Sequence, residues 1–150
     1  MSMRSFAASM IVLLFFSCTA APAVNQDVDI KATIYASYNV ISGPPGRRDW
    51  DRFKGLFTPD GVIKDSSGHS WTPDEYAKAK KPQLDANAIF IWPVNVDIKF
   101  VSPGIAQATS RHELRHASSD EKPYATGVNE FRLTKSGDAW LIVSLTTDEL

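Results

Sequence analysis

Apolar residues recur along this chain first at helical spacing and then at strand spacing, and the change of period divides it into two parts. From Asn25 to Ser42, Ile30, Ile34, Tyr38 and Ile41 fall at i, i+4, i+8 and i+11. That spacing predicts an amphipathic helix, opened by the cap-type residues Asn25 and Asp27 and ended by Gly43-Pro44-Pro45-Gly46. Trp50, Phe53 and Phe57 repeat the helical spacing in a short second helix after Asp49. Thr58-Pro59-Asp60-Gly61 then reads as a turn, because Pro59 pre-sets its first central position and Gly61 relieves its exit. Val62 to Asp65 follows as a short strand with Ile63 and Asp65 on one side and Val62 and Lys64 on the other. A third helix opens at Thr72-Pro73-Asp74-Glu75, where Thr72 caps, Pro73 suits the first helical position and Glu75 reaches back. Pro82 is expected to kink or end it.

From Ala88 the period is that of strands. Val94, Val96, Ile98 and Phe100 alternate with Asn95, Asp97 and Lys99, predicting a half-buried strand closed by Ser102-Pro103-Gly104. Ile105 to about Ala117 is a second long strand, Tyr124 to Thr134 a third, and Ala139 to Thr147 a fourth. Lys135-Ser136-Gly137-Asp138 makes a tight hairpin between the last two. Three helices followed by an antiparallel meander predict an α+β fold, with the helices on one face of a curved antiparallel sheet. Such a roll leaves a cavity between helices and sheet.

Composition narrows the class. The 150 residues hold one domain's worth of chain, without repeats or low-complexity tracts. A net charge of −1, with no Lys/Arg run longer than two, gives no electrostatic basis for nucleic acid or an anionic membrane as partner. The first 23 residues read as a signal peptide: Arg4 near the start, a run of about 11 residues from Phe6 to Phe16, then small residues to Ala23. That run is well short of the roughly 20 apolar residues that span a bilayer as a helix. Cleavage after Ala20 or Ala23 would leave 24–150 as a single secreted or periplasmic domain and remove the one cysteine, Cys18. Alternatively, Cys18 in F-F-S-C becomes the lipid-bearing first residue of an anchored lipoprotein.

Chemistry concentrates at a few positions. If the Ile63 face is the core face, Asp65 points inward, where desolvation would raise its pKa and equip it to take a proton from carbon next to a carbonyl. An aspartate before Ser66-Ser67-Gly68 is equally a turn residue bonded to nearby amides. In Arg111-His112-Glu113-Leu114-Arg115-His116, a strand places His112 and His116 on one face and Arg111, Glu113 and Arg115 on the other. With His69 these are the three histidines, but no close pair has a usual ligand spacing, so the cluster reads as a solvated strand face and neither metal nor cofactor is expected. Trp71, Trp92 and Trp140 are candidates for a pocket wall or for core filling.

The order helix, helix, short strand with D-G-V-I-K-D-S-S-G, capped helix and long antiparallel strands resembles the nuclear transport factor 2-like superfamily, which includes ketosteroid isomerase and the SnoaL-like polyketide cyclases. The resemblance covers nearly all of the chain after the leader and implies a cystatin-like α+β roll with a cone-shaped cavity. It places Asp65 at the base position of ketosteroid isomerases and Tyr38 near their first-helix tyrosine. Asn129, in V-N-E-F-R-L, falls at the acid position, where an amide can donate a hydrogen bond but is not the protonated carboxylic acid of that enzyme. On this basis Asp65 would be a general base, with Tyr38 and Asn129 donating to an oxyanion. Each also has a plain structural role: Tyr38 as a core tyrosine, Asn129 as a strand residue bonding the facing helix. Aromatic contacts to a small organic ligand are expected from Tyr35, Trp50, Phe53, Trp71, Trp92 and Phe131. The expectation is an extracytoplasmic small-molecule-binding domain, alternatively an isomerase, cyclase or dehydratase, and a homodimer formed through the sheet around Val94, Val96 and Ile98.

Overall fold

The computed structural model describes residues 25–148; the expected signal peptide of residues 1–23, with Cys18, and the last two residues lie outside them. Helix α1 (Gln26–Ile41) and helix α2 (Trp50–Gly55) precede strands β1 (Phe57–Asp65) and β2 (Ser70–Trp71). Helix α3 (Pro73–Ala86) follows, and then β3 (Phe90–Ser102), β4 (Ile105–Arg115), β5 (Ala125–Ser136) and β6 (Ala139–Thr147). The six strands form one sheet in the order β2-β1-β6-β5-β4-β3. The fold is α+β, as the period change predicts, but the sheet is not wholly antiparallel: β1 runs parallel to β6, with Ile63 opposite Leu145.

Ile30, Ile34, Tyr38 and Ile41 are all buried, so the stripe on α1 is the one the spacing marks. Asn25 stands at its N-cap without a side-chain cap bond. The cap of α3 is reciprocal: Thr72 Oγ1 accepts from Glu75 N at 3.2 Å, and Glu75 Oε2 accepts from Thr72 N at 2.9 Å. Pro82 lies inside α3 and does not end it. The carbonyl it leaves without a donor belongs to Lys78, on the exposed side of the helix, where water can bond it.

Two local corrections follow from bulges. Phe57 belongs to β1 rather than to α2, and Thr58 to Gly61 form a bulge within that strand, since pairing jumps from Phe57↔Ile142 to Val62↔Ser144. The turn chemistry is present, but the chain re-enters the same strand. Gly61 is needed there, because a Cβ would sit 2.9 Å from Phe57 Cβ. In β3, pairing jumps from Pro93↔His112 to Asn95↔Arg111, which leaves Val94 out of register and 62% exposed. Val96 is buried and Ile98 half-buried, so these three do not form one exposed face.

Arg48 ties the helices together. Its Nε donates to Ile41 O at 3.0 Å, its Nη2 to Gly43 O and Asn87 O at 3.1 Å each, and its Nη1 to Pro44 O. The guanidinium thus sits where the C-terminal ends of α1 and α3 converge, with orphan carbonyls and the negative poles of two helix dipoles around a positive charge. Asp85 completes the junction, accepting from Arg48 N at 3.1 Å and Trp50 Nε1 at 3.3 Å. Asp49 caps α2 by accepting from Arg52 N.

Candidate functional site

The inward faces of α1, β4 and β5 bring polar side chains into an otherwise apolar interior. On β4 the buried positions are Ala106, Ala108, Ser110, His112 and Leu114; on β5 they are Asn129, Phe131 and Leu133. Ser110 pairs across the strands with Asn129, and His112 with Gly127. The glycine makes room for the imidazole: a Cβ at 127 would lie 2.7 Å from His112 Cε1 and Nε2. Opposite them on α1, Tyr38 receives a hydrogen bond from Asn129 Nδ2 at 3.1 Å, and its ring centroid lies 5.5 Å from that of His112. Phe131 meets Tyr38 edge-on at 6.2 Å.

Tyr38, His112 and Asn129 line a small cavity of about 10 Å³, together with Phe53, Tyr76 and Thr147. The interior expected to form a cone-shaped pocket is therefore almost filled by its own side chains. No Asp, Glu, Lys or Arg lines it among the described residues. Two buried polar atoms of the cavity wall, His112 Nδ1 and Asn129 Oδ1, have no hydrogen-bond partner among the described residues. Such atoms are uncommon in native interiors, and each costs about 1–3 kcal/mol unless something bonds it. Burial lowers the pKa of His112, partly opposed by the charge of Asp148, so the ring is neutral at pH 7. Burial raises that of Tyr38, with the Ser110 and Asn129 side chains offsetting part of the shift, so the phenol keeps its proton. The cluster is a set of neutral donors and acceptors.

Asp65 is built differently from its inward-facing expectation. Its Oδ1 accepts from Ser67 Oγ at 2.6 Å, His69 N at 2.9 Å and Ser67 N at 3.1 Å, and its Oδ2 from Trp71 Nε1 at 3.2 Å. The Ser67 hydroxyl, then the Trp71 indole and the backbone amides, outweigh desolvation and hold the carboxyl down at about 2. The strand ends before the side chain reaches the core, and the carboxylate organises the β1–β2 turn instead. It does not line the cavity beside Tyr38 and Asn129. Between them stands Tyr76, whose phenol is pushed up to about 12 by burial and then by the Asp65 charge.

Of the six expected aromatic contacts only Phe53 lines the cavity. Trp50 packs on Phe53 at 5.8 Å and faces a surface groove between α2 and α3, while Phe131 lies behind Tyr38. Trp71 is half-buried under the His69 ring at 4.1 Å, and Tyr35 is exposed on the outer side of α1. Trp92 lies on the outer sheet face, 47% exposed, with the Arg115 guanidinium 5.1 Å over its ring. His112 and Ser110 are the residues the sequence reading passes over. The solvated-face expectation for the histidines fails for His112, which is 2% exposed, and holds for His116, which lies past the end of β4. A signal existed: His112 is in phase with Ala106, Ala108, Ser110 and Leu114, whereas Gln107, Thr109, Arg111 and Glu113 share the other phase.

No family model matches the chain, and no curated protein matches it in sequence. Solved structures do resemble it. A protein of unknown function with a cystatin-like fold from Nostoc punctiforme is 14% identical, with a TM-score of 0.67 over 81% of this chain and 89% of that one. A candidate scytalone dehydratase from Novosphingobium aromaticivorans is 17% identical, with a TM-score of 0.65 over 81% and 82%. A nuclear transport factor 2-like protein of unknown function from Shewanella oneidensis is 18% identical, with a TM-score of 0.58 over 83% and 99%. At such identities the likeness is one of architecture, and it agrees with the order of elements described above: the chain has the cystatin-like fold of the nuclear transport factor 2-like proteins.

Proposed function

We propose that the protein is a small-molecule-binding domain whose ligand reaches the buried cluster of Tyr38, Ser110, His112 and Asn129 between the helices and the sheet. The observation that carries this reading is that His112 and Asn129, each with an unpartnered buried polar atom, line one cavity in an apolar interior. A core that only had to be stable would place apolar side chains there or pair those atoms internally. Because the cavity holds only about 10 Å³, binding requires Tyr76, Phe53 or their neighbours to move, so the ligand acts on a minor, expanded state. The test is a heteronuclear NMR titration with a panel of small organic compounds: shifts centred on Tyr38, His112 and Asn129 are expected. Shifts confined to the outer grooves, or none at millimolar ligand, would remove the proposal.

An isomerase-like reaction with Asp65 as base is not part of this reading, since a carboxyl held at about 2 by four hydrogen bonds is a weak base. The proposal includes export, on the strength of the leader pattern alone; the mass of the processed protein distinguishes cleavage after Ala20 or Ala23 from lipidation at Cys18. It also includes a homodimer through the outer sheet face, where Trp92, Val94 and Val128 are exposed. Light scattering on Val94→Asp/Val128→Asp against the unaltered chain tests that state.

A further inference from the structure

The hydrogen-bonding pattern of the buried cluster points to the chemical class of its occupant; this inference rests on the proposed binding reading and narrows it. Asn129 donates one of its two side-chain N–H groups to Tyr38, and its oxygen, an acceptor, has no partner. Tyr38 accepts that bond and retains its own proton for donation, because burial holds its pKa up. The two residues the resemblance casts as a pair of oxyanion donors are therefore a donor and an acceptor. His112 Nδ1 either accepts or donates according to tautomer. No formal charge lines the space, and an ion placed there would be desolvated without a counter-charge.

We infer that the site recognises a neutral hydroxyl group, one that donates to Asn129 Oδ1 while accepting from Tyr38. A ketone only accepts and would leave the Asn129 oxygen unbonded. A carboxylate only accepts and brings a charge. At rest the same position fits one water molecule: about 10 Å³ is close to the smallest space that holds one, and buried waters typically make about three bonds to otherwise unpartnered groups. An alcohol or phenol takes that place with its oxygen and requires Phe53 or Tyr76 to yield room for its apolar body.

The experiment uses the isotopically labelled protein in two parts. Water contacts at the Asn129 side-chain amide and the His112 ring, measured as rotating-frame Overhauser effects, are expected in the ligand-free protein and are expected to disappear on adding phenol. Phenol, toluene and benzoate are then titrated separately: phenol should bind at least tenfold more tightly than either, one unmet hydrogen bond being worth about that factor. Asn129→Leu should erase the difference between phenol and toluene, with Tyr38→Phe as a second variant should the first fail to fold. Toluene binding as well as phenol, or benzoate binding better, overturns the hydroxyl assignment while leaving a ligand-binding domain in place. A benzoate preference would mean that the Asn129 amide turns its N–H into the cavity. If none of the three binds, the ligand reading fails and the hydroxyl assignment falls with it.

Discussion

Replacing Arg48 by methionine keeps the length of the side chain and removes its charge and all four of its hydrogen bonds. One of those bonds, from Nε to Ile41 O, is fully buried, and the other three are partly buried. Hydrogen bonds to charged groups contribute about 1.5–3 kcal/mol each, so a simple sum would approach ~10 kcal/mol. That sum overstates the loss, because the carbonyls of Gly43, Pro44 and Asn87 lie near the surface and water can bond them once the guanidinium is gone. Removing the buried cation also recovers part of its desolvation cost. Counting the buried bond in full and each partly buried one at about 0.5 kcal/mol gives a net loss of about 3 kcal/mol. Urea unfolding followed by tryptophan fluorescence is the assay. With a slope of ~1.5–2 kcal/mol per molar, the midpoint should fall by about 1.5–2 M at unchanged slope. Arg48→Lys should recover less than half of this, since one ammonium cannot fan across carbonyls from two helix ends. A loss below about 1 kcal/mol for Arg48→Met would refute the view that this side chain joins α1 to α3.

The remaining expectations concern the two clusters. Carbon-detected NMR should find Asp65 titrating near 2, and Asp65→Asn should loosen the β1–β2 turn, seen as faster amide exchange at Ser67 and His69; a value above 4 would contradict the bonding described. For His112 the folded pKa lies below the unfolded one of about 6.5, so in the interval between them the unfolded chain carries a proton that the native protein lacks. Its neutral burial therefore contributes fully above about pH 6.5, and stability falls on acidification by up to ~1.4 kcal/mol per pH unit through that interval. The pH dependence should flatten in His112→Phe, and an unchanged slope would show that another group carries it. Gly127→Ala places a methyl 2.7 Å from the His112 ring and should cost about 1–3 kcal/mol in urea unfolding, a penalty that His112→Ala in the same chain should relieve.

Much of this architecture was readable from periodicity and punctuation. The stripe Ile30, Ile34, Tyr38, Ile41, the Thr72/Glu75 box and the alternation along β4 to β6 each carry a local signal that the tertiary structure reinforces. What escaped was set by relations distant in sequence. The parallel partner of β1 comes some 80 residues later, and nothing in D-G-V-I-K-D announces it. Val94 looks like a core valine because bulges have no composition of their own, and one unpaired residue reverses every side chain before it. Asp65 stands at the strand end that the sequence predicts, but its environment depends on the β1–β2 turn, where the Ser67 hydroxyl does most to hold it ionised. Histidine in a strand defaults to the surface, and only its phase with two alanines and Gly127 across the ladder explains why His112 is inside.

The position of β6 has a consequence for how the chain assembles. It lies between β1 and β5, so the first strands made and the three-stranded meander of β3 to β5 have no shared edge until residues 139–147 arrive. The meander closes through hairpins between neighbours in sequence, whereas Ile63 meets Leu145 only after a loop of about 80 residues has closed, an entropic cost that local contacts do not bear. The last strand is the keystone. A chain emerging from the ribosome keeps its helices without a completed sheet to rest on until residues 139–147 have emerged, and removing β6 would leave two half-sheets with open edges prone to pairing with other chains.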